Sequence, residues 1–351
     1  MKRFVRIICW SLIAIFFQVS FLLFLNNYYW KSQSTFKIVP VSEVKAEEPK
    51  MLTNLEVPTE AGDLKISYNG KHIAYILKGK LVVQDTYTGK SQSIDIPNKG
   101  SISYYRWLPD RDRLIIAEKY VNGRKETIKF TYYDESTGER TEIVDNHKEL
   151  AQIVLSETDY EVKDMSLSTA TSVMFIRISK AGGKNIMYHM NIMSQLEKLE
   201  NNNIQMVNME ALSTEDKLIY DTPVYKKLMA APSNKQISIT GVKQYILLGV
   251  DDDDNIYVGN GEEGKIKSIY YGTLGTSTKD WKNIQLEQPT EKKNIFITRK
   301  GKVLLNDNLK GEVSNLTDNK ATKYIGKFLA IYNKGIISEE NGKLTDNGFK
   351  D

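Results

Sequence analysis

The chain has 351 residues, 41% of them hydrophobic and 26% charged, which is the composition of a globular protein with room for one large or two small domains. Its net charge of +4 falls to +1 once Lys2, Arg3 and Arg6 are set aside, so the basic excess lends no support to nucleic-acid binding. The single cysteine, Cys9, excludes a disulfide framework.

From Ile7 to Leu25 there is no charged residue, and Gln18 is the main polar interruption. As a helix this stretch is roughly 28 Å long, close to the hydrocarbon thickness of a bilayer. Lys2, Arg3 and Arg6 precede it, and Tyr28, Tyr29 and Trp30 follow as an interfacial belt would. A cleaved signal peptide would have a shorter apolar region and a small-residue cleavage site, which Asn26-Asn27-Tyr28-Tyr29-Trp30 does not offer. The pattern predicts a cytoplasmic stub at 1–6, a transmembrane signal anchor at 7–25, a linker at 26–60 and an extracytoplasmic domain at 61–351. The cysteine-free, Lys-, Asn-, Ile- and Tyr-rich remainder points to a bacterial cell envelope. Within the linker, Phe36 to Val41 is a candidate strand that would complete a last blade.

Leu64 to Ile96 then reads as short antiparallel strands divided by turns at Asn69-Gly70, Lys78-Gly79 and Thr88-Gly89. Such a meander has two bare faces and must stack on copies of itself. Trp107 to Ile116 replays its turn and apolar strand, and Ser136-Thr137-Gly138-Glu139 replays Tyr87-Thr88-Gly89-Lys90. A third copy starts at Met165, with Val173 to Ile178 as its apolar strand. The spacing is irregular, about 41 and then about 59 residues, the first within and the second beyond the roughly 40–45 of a regular propeller repeat. His147 to Gln152 has helical propensity and reads as an inter-blade insertion. Met187 to Asn203 fits either element: Met190, Met193, Leu196 and Leu199 recur about every three residues, which favours a short helix, while its start also fits a strand. Strand signals resume at Leu218 to Tyr220, Gln236 to Thr240, Tyr245 to Val250, Ile256 to Gly259 and Ile266 to Tyr271. Ile295 to Thr298 is expected to pair with Val303 to Leu305, and Tyr324 to Tyr332 with Ile336-Ile337. The fold class is therefore all-β: one propeller of about six to seven blades after a transmembrane helix.

The repeat at Leu64 to Lys90 resembles the WD40-like repeat of TolB-type and dipeptidyl-peptidase-IV N-terminal β-propellers. In that repeat an S-P-D-G-K turn precedes an apolar strand and a D-x-x-T-G-K turn follows the next. Here they are Ser67-Tyr68-Asn69-Gly70-Lys71 and Asp85-Thr86-Tyr87-Thr88-Gly89-Lys90, with Trp107-Leu108-Pro109-Asp110 as a W-S-P-D version. Tyr68 stands in place of proline, and later copies lose the motif. Asp254 to Gly259 resembles the D-G-N-I-x-V-G strand start of other bacterial propellers, with Asp254 at the glycine's place. The resemblance implies fold and not activity.

No enzyme is expected. The peptidase relatives carry G-x-S-x-G on an α/β-hydrolase domain, and the nearest stretch here, Gly275-Thr276-Ser277-Thr278-Lys279, ends in lysine. His72, His147 and His189 lie in separate segments without metal-ligand spacing, and His72 reads as a blade residue. Asp251, Asp253, Asn255 and Glu262 match positions 1, 3, 5 and 12 of a calcium loop, but Ile256 occupies the place of its glycine. A solvated hairpin turn is the reading of that cluster. Gly259-Asn260-Gly261-Glu262-Glu263-Gly264 fits a phosphate fingerprint by letter, yet its glutamates would repel phosphate and no βαβ unit surrounds it. No catalytic, cofactor or metal residue is singled out. The expectation is a membrane-anchored, non-catalytic protein-binding or scaffold module with an envelope or membrane protein partner. The alternative is a propeller related to, or gating, a dipeptidyl-peptidase-like hydrolase.

Overall fold

A computed structural model describes residues 2–24, 55–183, 185–199, 206–222, 224 and 226–349. The described residues of the N-terminal unit form the α-helix Lys2–Phe24. Its described apolar side chains, among them Phe16, Phe17 and Phe21, are exposed. The apolar run expected at 7–25 is described at side-chain level from 9 to 24, and among the described residues no helix is long and apolar enough to cross a membrane. To that extent the expected span is not met. The candidate strand at 36–41 lies outside the described residues.

The second unit is a ring of seven antiparallel sheets. Residues 62–94 form blade 1, and 101–155, 161–198, 209–237, 246–291 and 295–323 form blades 2 to 6. Blade 7 takes three strands from 327–348 and its fourth, Leu55–Glu56, from the start of the unit, with Leu55 opposite Leu344. The closing strand is therefore this segment of the expected linker. It bonds the two ends of the ring together, so the disc cannot open without breaking a blade.

Blade 1 shows how local chemistry sets register. Lys78 and Gly79 both have positive φ, which makes a two-residue hairpin whose twist matches the flanking strands. That turn places Leu77 opposite Lys80 and, counting back, His72 opposite Asp85.

The second strand of each blade carries a short apolar stretch because blades cover both of its faces. Leu218–Thr222 is buried at every position. The buried apolar residues fall into seven clusters, one at each junction between neighbouring blades. Ala74, Leu81 and Val83 of blade 1 meet Tyr105, Trp107 and Leu114 of blade 2, and Leu304 and Val313 of blade 6 meet Ile336 of blade 7. The core is thus a ring of interfaces and not a central mass.

The two segments with helical signals are strands and turns, and the strand reading left open for the start of 187–203 is the one that holds. Met187 to Asn203 holds the strands Ile186–Met190 and Leu196–Lys198, with 200–203 outside the described residues. A spacing of three points side chains to opposite faces of a strand, and both faces are apolar here: Met187 packs toward blade 4 and Met190 toward blade 2. At His147 to Gln152 the Asp145 carboxylate accepts the backbone N–H of His147 (2.8 Å) and Glu149 (2.9 Å). This Asx turn competes with a helix, and the chain continues into the strand Gln152–Leu155. The expected pairing of 295–298 with 303–305 is found as Ile295–Ile297 against Val303–Asp307, and that of 324–332 with 336–337 as Lys327–Tyr332 against Gly335–Glu340, with Tyr324 lying before the strand.

Candidate functional site

The turn between first and second strands lies at the same end of every blade, so these turns form one face of the ring. They are bonded to one another. Asn333 N donates to Tyr68 O (3.2 Å), Asn69 Nδ2 to Asp112 Oδ2 (2.7 Å), Ala170 N to Ser213 O (2.9 Å), Ser213 Oγ to Asp251 O (3.0 Å) and Asp252 N to Arg299 O (2.8 Å). Arg299 also donates to Thr169 Oγ1 across the ring, at 3.1 Å. Glycine is required where turns touch. Gly301 has φ +73°, and a Cβ there would come within 2.8 Å of Asp251 Oδ2. The face exposes both signs of charge, through Lys71, Asp110, Arg111, Asp252, Asp253 and Lys300.

The acidic stretch at 251–255 belongs to this belt: it is the hairpin turn expected, with Asp252 and Asp253 solvated, but Asp251 and Asp254 are buried in it. Asp251 is 3% exposed and Asp254 8%. The Asp251 carboxylate accepts the N–H of Asp253 and Asn255, the Asn255 side-chain amide and the Tyr257 hydroxyl, at 2.9–3.0 Å. Desolvation, reinforced by Asp251, pushes the Tyr257 phenol well above its usual range. Asp254 accepts Ser213 N, Thr214 N and the Thr214 hydroxyl from blade 4, and Asp252 pairs with Arg299. Glu262 sits at the far end of the seven-residue strand Ile256–Glu262, roughly 20 Å along it, paired with Lys267 at 3.1 Å. The four calcium-loop letters are not brought together. Glu263 and Gly264 make the next hairpin, and 275–279 is a surface turn.

The first strands of blades 2 to 4 carry a charged network. Arg106 lies 3.6 Å from both Asp164 and Glu210 and donates to Met165 O at 2.6 Å. Burial opposes its charge, but Glu210 and Asp164 outweigh that and hold the guanidinium above its usual value. Ser166 donates to Glu210 at 3.0 Å and Tyr104 to Asp164 at 3.2 Å. Lys292, just before the first strand of blade 6, bonds Asn208 of blade 4. Burial pulls its ammonium below the lysine norm despite Asp221, Glu210 and Asp164. Each cation has an acidic neighbour, which is the pattern of a structural lining. In blade 2 the fully buried Glu118 accepts a bidentate pair from Arg140 (2.6 and 2.7 Å) and the hydroxyls of Tyr120 and Thr131.

The three histidines part company. His147 is exposed in its turn. His189 Nε2 lies 2.8 Å from Asp216, with its ring 5.0 Å from Phe175. His72, 3% exposed, sits among Asp85 of its own blade and Asp112 and Glu135 of blade 2. Sequence reasoning missed this convergence. The Lys78-Gly79 hairpin count does place Asp85 opposite His72, but nothing local brings in the two residues of blade 2.

No protein-family model matches the sequence, and no curated protein matches it. Among solved structures, the chain is similar to the Cps50 (Swd1) β-propeller domain from Myceliophteria thermophila, at 10% identity over 86% of this chain and 100% of that one, with a TM-score of 0.48. It is also similar to Hsv2 from Kluyvelomyces marxianus (11% identity, 79% and 88%, TM-score 0.47). A functionally unknown protein from Desulfotomaculum acetoxidans gives 10% identity, 78% and 89%, and 0.45.

Proposed function

We propose that this chain is a non-catalytic docking module: a propeller whose interlocked turn face binds a protein partner in a bacterial envelope, held at the membrane by its N-terminal helix. The observation that carries this reading is the bonding of turn to turn around the face. Loops that brace one another present exposed charges of both signs in fixed positions, and a rigid surface loses little entropy on binding a folded partner. The mixed charge favours a protein over a polyanion.

The anchor rests on the uncharged run from Ile7 to Leu25, on the helix Lys2–Phe24 and on the basic residues at its start. Confinement to a membrane raises the effective concentration of the module near other membrane proteins, so a weak interface suffices. The WD40-like turns at 67–71 and 85–90 support kinship with TolB-type propellers.

In-cell crosslinking of the full-length protein tests docking, with Arg111→Glu and Lys300→Glu as face variants. One recurrent envelope protein, lost in the variants, is expected. Capture that ignores the face, or turnover of peptide substrates by purified protein, overturns the reading. Labelling of cysteines introduced into residues 61–351 of intact cells tests topology: a soluble secreted form lacking residues 1–25 would sink the anchor.

A further inference from the structure

The His72 cluster differs in kind from the other polar groups of the turn face. Its backbone N–H donates to Ser67 Oγ at 3.0 Å, and its ring stacks on Trp107 with centroids 6.0 Å apart. The imidazole is thereby held in one orientation with a carboxylate on either edge. On one edge, Nε2 lies 2.7 Å from Glu135 Oε1 and 3.8 Å from Asp85 Oδ2. On the other, Nδ1 lies 3.8 Å from Asp112 Oδ1.

Asp85 and Asp112 each turn a spare oxygen inward. Asp85 uses Oδ1 to accept the N–H of Tyr87 and Thr88, at 2.8 and 2.7 Å, and leaves Oδ2 facing the histidine. Asp112 uses Oδ2 for Asn69 and leaves Oδ1. Nδ1 of the buried histidine and Oδ1 of Asp112 are both without a hydrogen-bond partner. Three carboxylates therefore converge on a group that carries at most one positive charge. The neighbouring arginines are turned elsewhere: Arg113 pairs with Asp134 and Arg111 with Asp110, while Lys71 acts on Asp112 through its charge.

We propose that His72, Asp85 and Glu135 form a binding site for a divalent transition-metal ion of the zinc class, with Asp112 orienting the histidine from behind. One histidine nitrogen and two carboxylates are donors that such ions accept, and the three ligand atoms lie within 4.8 Å of one another. Bonds of about 2.0–2.2 Å to a tetrahedral ion need donors about 3.4 Å apart. The Nε2–Glu135 contact must therefore open and the Nε2–Asp85 contact must close, each by less than an ångström. Metal on Nε2 puts the ring proton on Nδ1, facing Asp112 Oδ1. That gives the two unpartnered atoms to each other, in the carboxylate–histidine–metal arrangement. A dication also balances the acids. Asp85 and Glu135 keep 29% and 28% of their side chains exposed, which leaves a path for the ion and room for a water at the open position.

The test uses full-length protein in detergent, stripped of metal with a chelator and titrated with Zn²⁺ against a chromophoric competitor. One equivalent is expected to bind, with half-saturation at micromolar Zn²⁺ or below, and to raise the melting temperature. Glu135→Gln and His72→Gln should abolish stoichiometric binding, and Asp112→Asn should weaken it by about 10- to 100-fold. His189→Gln should leave it unchanged. Glu135 lies in a surface turn, so Glu135→Gln keeps the fold, which far-UV circular dichroism of the metal-free protein checks. Absence of stoichiometric binding by the unaltered protein overturns the proposal. So does Zn²⁺ uptake that survives both Glu135→Gln and His72→Gln.

Discussion

Two junctions on the turn face use the same kinds of residue to different ends. Between blades 4 and 5, Asp254 and Asp251 are buried and their carboxylates are engaged by N–H and O–H donors of the surrounding turns. Between blades 1 and 2, three acids surround one buried histidine, and both Nδ1 and an Asp112 oxygen lack partners. An aspartate whose lone pairs are all used is holding turns together. An aspartate facing an unpartnered nitrogen has capacity left for something else. Satisfaction of the polar atoms, more than burial or local charge density, separates a brace from a site.

That contrast can be pressed with substitutions in the full-length chain, measured by denaturant unfolding. The largest loss is expected inside blade 2, where Arg140→Ala leaves Glu118 charged, buried and without its ion-pair partner, at a cost of about 3–5 kcal/mol. Burial works against the Glu118 carboxylate, but Arg140, Tyr120 and Thr131 outweigh it and hold its pKa below the usual glutamate value. Its contribution is therefore complete above the unfolded value, about 4.3, and is lost as pH falls through the lower folded value. Glu118→Gln should flatten the acid side of the stability curve; an unchanged curve would refute the assignment.

Next comes the braced junction. Asp254→Ala strands the N–H groups of Ser213 and Thr214 and should cost about 2–4 kcal/mol. Gly301→Ala forces a side chain into positive φ against Asp251 and should cost about 2 kcal/mol. The smallest effect belongs to the other junction. Without metal, Asp112→Asn keeps an acceptor for Asn69 and should change stability by less than about 1 kcal/mol. If it proves as damaging as Asp254→Ala, the two junctions are alike and the distinction drawn here fails.

Much of the architecture was legible in residue order. Turn pairs such as Lys78-Gly79 fix hairpin register by backbone sterics alone, and unbroken apolar runs such as Leu218 to Tyr220 announce strands covered on both faces. That is why strand order and a propeller of this size could be read before any coordinates. Local rules failed where two of them competed. Methionines spaced by three looked helical until both faces of a strand proved apolar, and the Asx turn of Asp145 prevailed over helix propensity at 147–152. What the tertiary structure alone decided lies at the junctions. Leu55–Glu56 closes blade 7 with residues almost 290 positions away, and Asp254 reaches back to Ser213. Asp112 and Glu135 meet His72 because blade 2 stacks on blade 1 at one particular angle. Such contacts depend on how twisted sheets nest, a property of assembled surfaces that no stretch of neighbouring residues encodes by itself.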